Sequence, residues 1–326
     1  MQEERRMVLE MLQQGKITAE QAAELLRALE GSASRQSEAE VSETRQTLKT
    51  VIQGLDLSGL FSSLVGSGHR FEEVREGELE PVDGVVQVRV RTRNGTVRMS
   101  GWDEPGYRAV LKKSVRAPSR EEAEDRAAGM VKLETAPGEL TVETEEDWPG
   151  GGVSVYLYLP RSLQYRVDAR TANGSVQLAD LRCQQVNVHT ANGKVALEMC
   201  EGNSAELHTS NGSIRVESAF ASVLARTSNG SIRVEVVPSE EGHYDLTTSN
   251  GSIKVHAQQH PDLAYEVDAE TTMGKVSVDL PDMVATVRER TWGRSSYRGK
   301  SRQYETASRK VTIKARTTNG SIRVFT

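Results

Sequence analysis

Thr209-Ser-Asn211-Gly212-Ser-Ile214-Arg-Val216 is followed by Thr227-Ser-Asn229-Gly230-Ser-Ile232-Arg-Val234 and then by Thr248-Ser-Asn250-Gly251-Ser-Ile253-Lys-Val255. The same frame begins Thr171-Ala-Asn173-Gly174 and Thr190-Ala-Asn192-Gly193 upstream. An outlying copy is Thr92-Arg-Asn94-Gly95, Thr317-Thr-Asn319-Gly320 closes the chain, and Thr271-Thr-Met273-Gly274 carries Met in place of Asn. From Asn173 to Asn250 the steps between successive Asn positions are 19, 19, 18 and 21 residues. A recurring period of this length is the mark of a stacked repeat, in which each unit buries its apolar face only against its neighbours.

Aligned on Asn, the copies place Ala169, Val188, Leu207, Ala225, Leu246, Ala269 and Ala315 four residues before it, and apolar residues such as Val167, Val186, Val223 and Ile313 six before it. After the Gly, Val176, Val195, Ile214, Ile232, Ile253, Val276 and Ile322 open a second alternation. Period two on both sides predicts two half-buried strands per unit. The Asn-Gly between them suggests positive φ angles in a tight turn. Such a unit fits either a meander of Asn-Gly hairpins or a β-solenoid in which Asn-Gly is a corner. Uniform Asn and Thr favour the solenoid, because equivalent side chains can then stack as hydrogen-bonded ladders. The expected fold is therefore mainly β, a single-stranded β-helix or solenoid of Thr-x-Asn-Gly repeats, preceded by a small α-helical hairpin. Asn173, Asn192, Asn211, Asn229, Asn250 and Asn319 form the expected turn ladder.

The chain has 326 residues, room for more than one structural unit, and a net charge of −5 that argues against nucleic acid as a partner. Four Phe among 27 Gly suit a thin, flattened coil with small buried residues. Cys183 and Cys200 fall in adjacent repeats, 17 residues apart, and read as core or surface fillers of a reducing compartment. With no signal-like apolar segment and no long apolar run, the expected location is cytoplasmic, peripheral to the membrane at most.

Residues 1–30 read as a helical hairpin that acts as an interaction module. Its second helix is announced by the capping box Thr18-Ala-Glu-Gln21 and stopped by Gly31. So short a hairpin must self-associate, dock or bind a partner to be stable. Residues 31–80 read as a linker containing an amphipathic stretch from Leu48 to Val65, which suits self-association, a cap over exposed β edges, or a membrane surface. Its five glutamates from Glu72 to Glu80 read as a solvated approach to the β-domain at 81–326. Within that domain, Ser119-Arg-Glu-Glu122 opens a short helix to about Met130, and Val153–Leu159 is a strand.

Two basic features are candidates for binding. Between Val287 and Ala315 the rhythm breaks, and Met273 to Asn319 spans 46 residues, room for two coils. Here Arg294, Arg298, Lys300 and Arg302 interleave with Trp292 and Tyr297, a combination that grips phosphates or settles at an anionic membrane. The alternative is a hairpin with merely solvated charges. The second feature is an outward row of Arg215, Arg233, Lys254 and Arg323, with Gln177, Ala196 and Ser277 in the equivalent places elsewhere. It could hold an anionic polymer, or be solvated with Glu217 and Glu235 as counter-charge.

Chemistry is not expected. Some β-helices are carbohydrate-active enzymes, but they need clustered carboxylates, and Asp168, Asp180, Asp268 and Asp279 are scattered. His189 and His208 occupy equivalent positions one coil apart and would stack, with nothing recurring beside them to complete a metal site. No catalytic, metal or cofactor-binding residue is assigned, and no cofactor is expected.

The repeated Thr-x-Asn-Gly-Ser-Ile-x-Val resembles the bacterial "putative adhesin" β-solenoid domain. The span from Glu4 to Leu26 is similar to the short helical domain that heads LiaX/YvlB-like proteins. The resemblance implies a non-catalytic protein of cell-envelope stress responses, whose two parts bind partners or each other and modulate a membrane-bound sensing system. The alternative is a surface adhesin or anionic-polymer-binding protein.

Overall fold

A computed structural model describes residues 67–144, 151–237, 241–291 and 293–326. The chain divides into two units, Met1–Val65 and Gly66–Thr326, and only the second is described. The helical hairpin expected at 1–30, the amphipathic stretch from Leu48 to Val65, and Trp292 lie outside the described residues.

The corner at Asn173 decides between hairpin and stack. Strand β8 (Gln164–Asn173) leads into it and β9 (Val176–Ala179) leads out. The two do not pair with each other. Strand β8 pairs in parallel with β2 (Val85–Asn94) and β10 (Arg182–Thr190), while β9 pairs in parallel with β3 (Val97–Trp102) and β11 (Val195–Thr209). Each repeat is thus a two-strand coil with one strand in each of two opposed faces. Inward residues of both faces meet as a single core layer: Val186, Val188, Val195 and Leu197 in one coil, Val223, Ala225, Ile232 and Val234 in another, all buried. Strands β11 and β12 (Ile214–Asn229) are long because each runs from the second face of one coil into the first face of the next. In β11 a bulge between Glu198 and Glu201 makes the bend, with Met199 at φ 53°. The next coil ends with β13 (Ile232–Val236), and β14 (Glu241–Asn250) and β15 (Ile253–Ala257) make another.

Both ends of the stack depart from sequence order. After β16 (Leu263–Met273) and β17 (Val276–Asp279), a hairpin of β18 (Met283–Arg290) and β19 (Ser295–Ser301) turns the chain back. The final strands β20 (Arg309–Asn319) and β21 (Ile322–Phe325) then lie between coils made earlier. Strand β20 pairs with β14 and β16, and β21 with β15 and β17. The 46-residue gap, long enough for two further coils, therefore holds a hairpin and an inserted strand.

The other end repeats the device. The first coil, β2–β3, is followed by β4 (Tyr107–Ala117), helix α1 (Arg120–Gly129), β5 (Val131–Ala136), β6 (Glu139–Thr144) and β7 (Gly152–Pro160). Strands β6 and β7 stack in parallel outside β2 and β3, and only then does β8 add on the inner side. Among the described residues there are 21 strands and one helix.

The terminal parallel strands are covered by antiparallel ones: β5 on β6, β4 on β7, and β19 on β16. Strand β1 (Ser67–Gly77) pairs antiparallel with β4, so the glutamate-rich stretch expected to be a solvated approach is an edge strand. Its charges, Glu72, Glu73, Arg75 and Glu76, deter further strand addition. Strand β1, like β4, is anchored by Lys113, which is buried. The Lys113 Nζ donates to the Ala127 carbonyl at the end of α1 and pairs with Glu73 Oε2, both at 2.6 Å. Burial pushes the Glu73 carboxyl up, yet Lys113 and Arg75 together hold it below the usual carboxylate range. The Ser119 hydroxyl caps α1, accepting from Glu122 N at 3.2 Å.

Candidate functional site

At the corners, two ladders run along the stack. Each Asn Nδ2 donates to the Oδ1 of its neighbour: Asn173 to Asn94, Asn192 to Asn173, Asn211 to Asn192, Asn229 to Asn211 and Asn319 to Asn250 at 2.8 Å, and Asn250 to Asn229 at 2.9 Å. All six point the same way, so the amide dipoles add. At one end Asn94 donates to the Gly151 carbonyl at 3.3 Å. At the other, Met273 stands where the next Asn would be, and the ladder stops. Beneath it, buried Thr hydroxyls donate to the corner glycine carbonyls of the adjacent coil, for example Thr190 to Gly174 at 2.9 Å and Thr271 to Gly320 at 2.8 Å. A buried hydroxyl needs such a partner, which explains why this position is always Thr.

The corner glycines do not serve the turn as expected. Neither the repeat Asn residues nor Gly174, Gly193, Gly212, Gly230, Gly251 and Gly320 lie in the left-handed region. Glycine is required because a Cβ on Gly212 would collide with the Gly193 carbonyl oxygen, and likewise up the stack. Close approach of one coil to the next, not positive φ, selects it.

The basic segment at the C-terminal end is built into the cap. Strand β19 lies beside β16 and brings each cation onto an acid: Arg294 to Glu270 at 2.5 Å, Arg298 to Asp268 at 3.2 Å, and Lys300 to Glu266 and Glu305 at 3.6 Å. The Lys300 ammonium also sits 4.7 Å over the Tyr304 ring. The side chain of Tyr297 is in the core, with burial pushing its phenol up, and is not available for stacking. Arg302 is exposed in the turn after β19. Of the six expected binding residues, Arg294, Arg298 and Lys300 are brought together, but with their own counter-charges. Residue number alone hid this, because the acids of β16 lie about 30 residues away.

The other basic row is different. Arg215, Arg233, Lys254 and Arg323 lie in register on adjacent strands, all exposed. Because β21 inserts against β15, Arg323 follows Lys254 directly although 69 residues separate them. Arg215 pairs with Glu217 at 2.6 Å. Among the described residues Arg233 and Lys254 make no ion pair, and Glu235 approaches His256 instead, at 3.8 Å. The Arg323 guanidinium covers the Phe325 ring at 4.8 Å, and that ring lies 5.4 Å from His256. Two residues before each cation stand Ser213, Ser231, Ser252 and Ser321. Four identical or near-identical Asn-Gly-Ser-Ile-Arg/Lys-Val hexapeptides thus form consecutive rungs, a signal legible in sequence except for its continuity.

On the opposite face His189 and His208 are neighbours, ring centroids 6.1 Å apart, between Arg170 and Arg226. His208 Nε2 meets Glu206 Oε1 at 2.9 Å. Among the described residues no cluster of three or more His, Cys, Asp or Glu could hold a metal. Asp168 engages Arg170, Asp180 engages Arg161, and Asp268 engages Arg298, so these carboxylates are dispersed in separate ion pairs. Cys183 and Cys200 are free and buried, and burial pushes both thiols up, away from the reactive thiolate. No helix of the described residues is long and apolar enough to cross a membrane.

Residues 3–34 match a SHOCT-like domain. No curated protein matches the chain. Solved structures similar to it include a "putative cell adhesion protein" from Clostridium sporogenes (14% identity, 78% of this chain and 99% of that one, TM-score 0.38). Others are a "putative adhesin" from Bacteroides fragilis (12% identity, 78% and 97%, TM-score 0.38) and a "putative lipid binding protein" from Parabacteroides distasonis (10% identity, 78% and 97%, TM-score 0.30). The family model described as Toastrack DUF4097 matches residues 80–325, and the chain belongs to that family.

Proposed function

We propose that this protein is a non-catalytic scaffold: a rigid stack of Thr-x-Asn-Gly coils that presents a cationic face to an anionic partner, while the SHOCT-like segment at 3–34 recruits protein or self-associates. The observation that carries this reading is the row Arg215–Arg233–Lys254–Arg323, held in register by backbone pairing at every step. The resemblance of the N-terminus to LiaX/YvlB-like proteins supports a place in cell-envelope stress signalling, at the cytoplasmic side and peripheral to the membrane. Dispersed, ion-paired carboxylates and buried thiols support a binding role over a reaction.

A chain of net charge −5 should pass through a phosphate-bearing cation exchanger unless its cations are concentrated. The full chain is expected to be retained on phosphocellulose at low salt, and Arg233→Glu/Lys254→Glu to flow through. Flow-through of the unaltered protein would overturn the reading.

A further inference from the structure

We infer that the ligand of this face is a linear phosphate chain without bases, lying along the stacking axis across the four Asn-Gly-Ser-Ile-Arg/Lys-Val rungs. The inference rests on the scaffold reading above and adds the chemistry of the partner.

The shape of the charge comes first. The cations form a single file. The next outward column is acidic in its first part, Glu198, Glu217 and Glu235, and turns to His256 and Phe325 only in the last two rungs. A broad anionic plane, such as a lipid surface, would bring its headgroups over both columns and meet the glutamates. A chain of small cross-section meets the cations alone. Strand spacing sets the rungs about 4.8 Å apart, so four rungs offer a track about 14 Å long.

The donors match phosphate. Arg233 and Lys254, the middle rungs, have no ion pair among the described residues. Beside the cations runs a row of hydroxyls, Ser213, Ser231, Ser252 and Ser321, of which three are exposed and Ser252 partly so. At the corner, Asn211, Asn229 and Asn250 each spend their Oδ1 on the neighbouring amide and one N–H on the other neighbour. Their remaining N–H is the polar group left for solvent or ligand. Charge-assisted bonds to oxyanions from such donors are stronger than neutral ones.

Bases are disfavoured by the aromatic inventory. Single-stranded nucleic-acid sites stack bases on open rings, whereas Phe325 is covered by Arg323 and the His256 ring lies against Phe325.

The test is isothermal titration of the full chain with inorganic polyphosphates of defined length, with anionic and neutral vesicles and oligo-dT as comparisons. Affinity should rise with chain length until the track is filled and then level off. With about four contacts, log K should fall against log salt with a slope near −3, on the scale of about −0.7 per contact for single-stranded polyanions. Arg233→Glu/Lys254→Glu should lose at least tenfold in affinity and roughly half the slope. Arg226→Glu, an exposed change on the opposite face, should bind as the unaltered protein does. Absence of length dependence, equal loss in the Arg226 variant, or tighter binding of anionic vesicles or oligo-dT at matched phosphate would each overturn the inference. Retention on phosphocellulose together with any of these results would leave the scaffold reading standing and remove the linear-chain ligand alone.

Discussion

Asn319 donates through Nδ2 to Asn250 Oδ1 at 2.8 Å, with 69 residues of chain between them. The geometry is the same as between Asn211 and Asn192, which are 19 apart. The last coil of the chain has taken a place inside the stack, and its Asn, Thr and Ile occupy the rung that β16–β17 would have filled by sequence order.

That insertion constrains how the molecule assembles. Strand β16 has β20 as its parallel partner and β19 as its antiparallel one, so it has no direct contact ladder with the coil before it. Closing the long loop costs entropy before the pairing rewards it. In pulsed hydrogen exchange during refolding, amides of Leu263–Met273 should gain protection with or after those of Arg309–Asn319. Earlier protection of β16 would mean that it first pairs without β20, on β19 alone or on β14.

Glycine at the corner can be tested against glycine elsewhere. Gly212→Ala drives a methyl into the Gly193 carbonyl, backbone against backbone, and the two coils must separate. A loss of about 3 kcal/mol or more is expected from urea denaturation, at the upper end of overpacking. Gly129→Ala, at the end of α1 with open space around the new methyl, should be neutral or stabilising by up to about 1 kcal/mol. Similar losses at both positions would refute the close-approach explanation.

The amide ladder depends on each Asn both donating and accepting. Asn229→Asp can still accept from Asn250 but places a carboxylate against the Asn211 oxygen. It should cost about 1–2 kcal/mol, from one lost bond and the repulsion between the two oxygens. Met273→Asn places an amide next to Asn319, whose neighbour it already is in register. A gain of about 0.5–1 kcal/mol is expected from one added rung. A drop in the urea midpoint for Met273→Asn would mean that the ladder ends there for a packing reason.

Alkaline stability follows from the buried phenols. Burial pushes Tyr244 up to about 12, and raises Tyr165 and Tyr265 further, with the neighbouring Cys183 and Tyr244 adding to it. Each phenol donates to a backbone carbonyl: Tyr244 to Phe220 at 3.2 Å, Tyr165 to Pro160 at 2.7 Å and Tyr265 to Gln258 at 2.6 Å. A group whose pKa is higher in the folded state contributes stability that is full below its unfolded value, near 10 for Tyr, and is lost as pH rises towards the folded value. Between about pH 10 and 12, unfolding by circular dichroism should coincide with the part of the tyrosinate absorbance that is missing from Tyr165→Phe, Tyr244→Phe and Tyr265→Phe variants. That part appearing well before loss of β signal would show that these phenols ionise in the folded protein.

Much of the coil was legible in the residues themselves. Period-two alternation on both sides of Asn-Gly identifies two half-buried strands, and the invariance of Thr and Asn anticipates the ladders, because a side chain repeated at one spacing has itself as a neighbour. Local pattern carries that information: it depends on which atoms lie within one coil of each other. The helix at Ser119 was equally plain, since its cap is a contact over three residues.

Order, approach and charge pairing between distant segments arise only in the assembled stack. That β20 stands between β14 and β16, that Gly212 is needed for the Gly193 carbonyl and not for its own φ, and that Arg294, Arg298 and Lys300 face Glu270, Asp268 and Glu266 are all relations between different coils. Near-identical repeats fit one another in any order, so the local pattern defines the coil and leaves the stacking order open. The connections and caps settle that order. With it they settle which cations are neutralised and which, like Arg233 and Lys254, have no ion pair among the described residues.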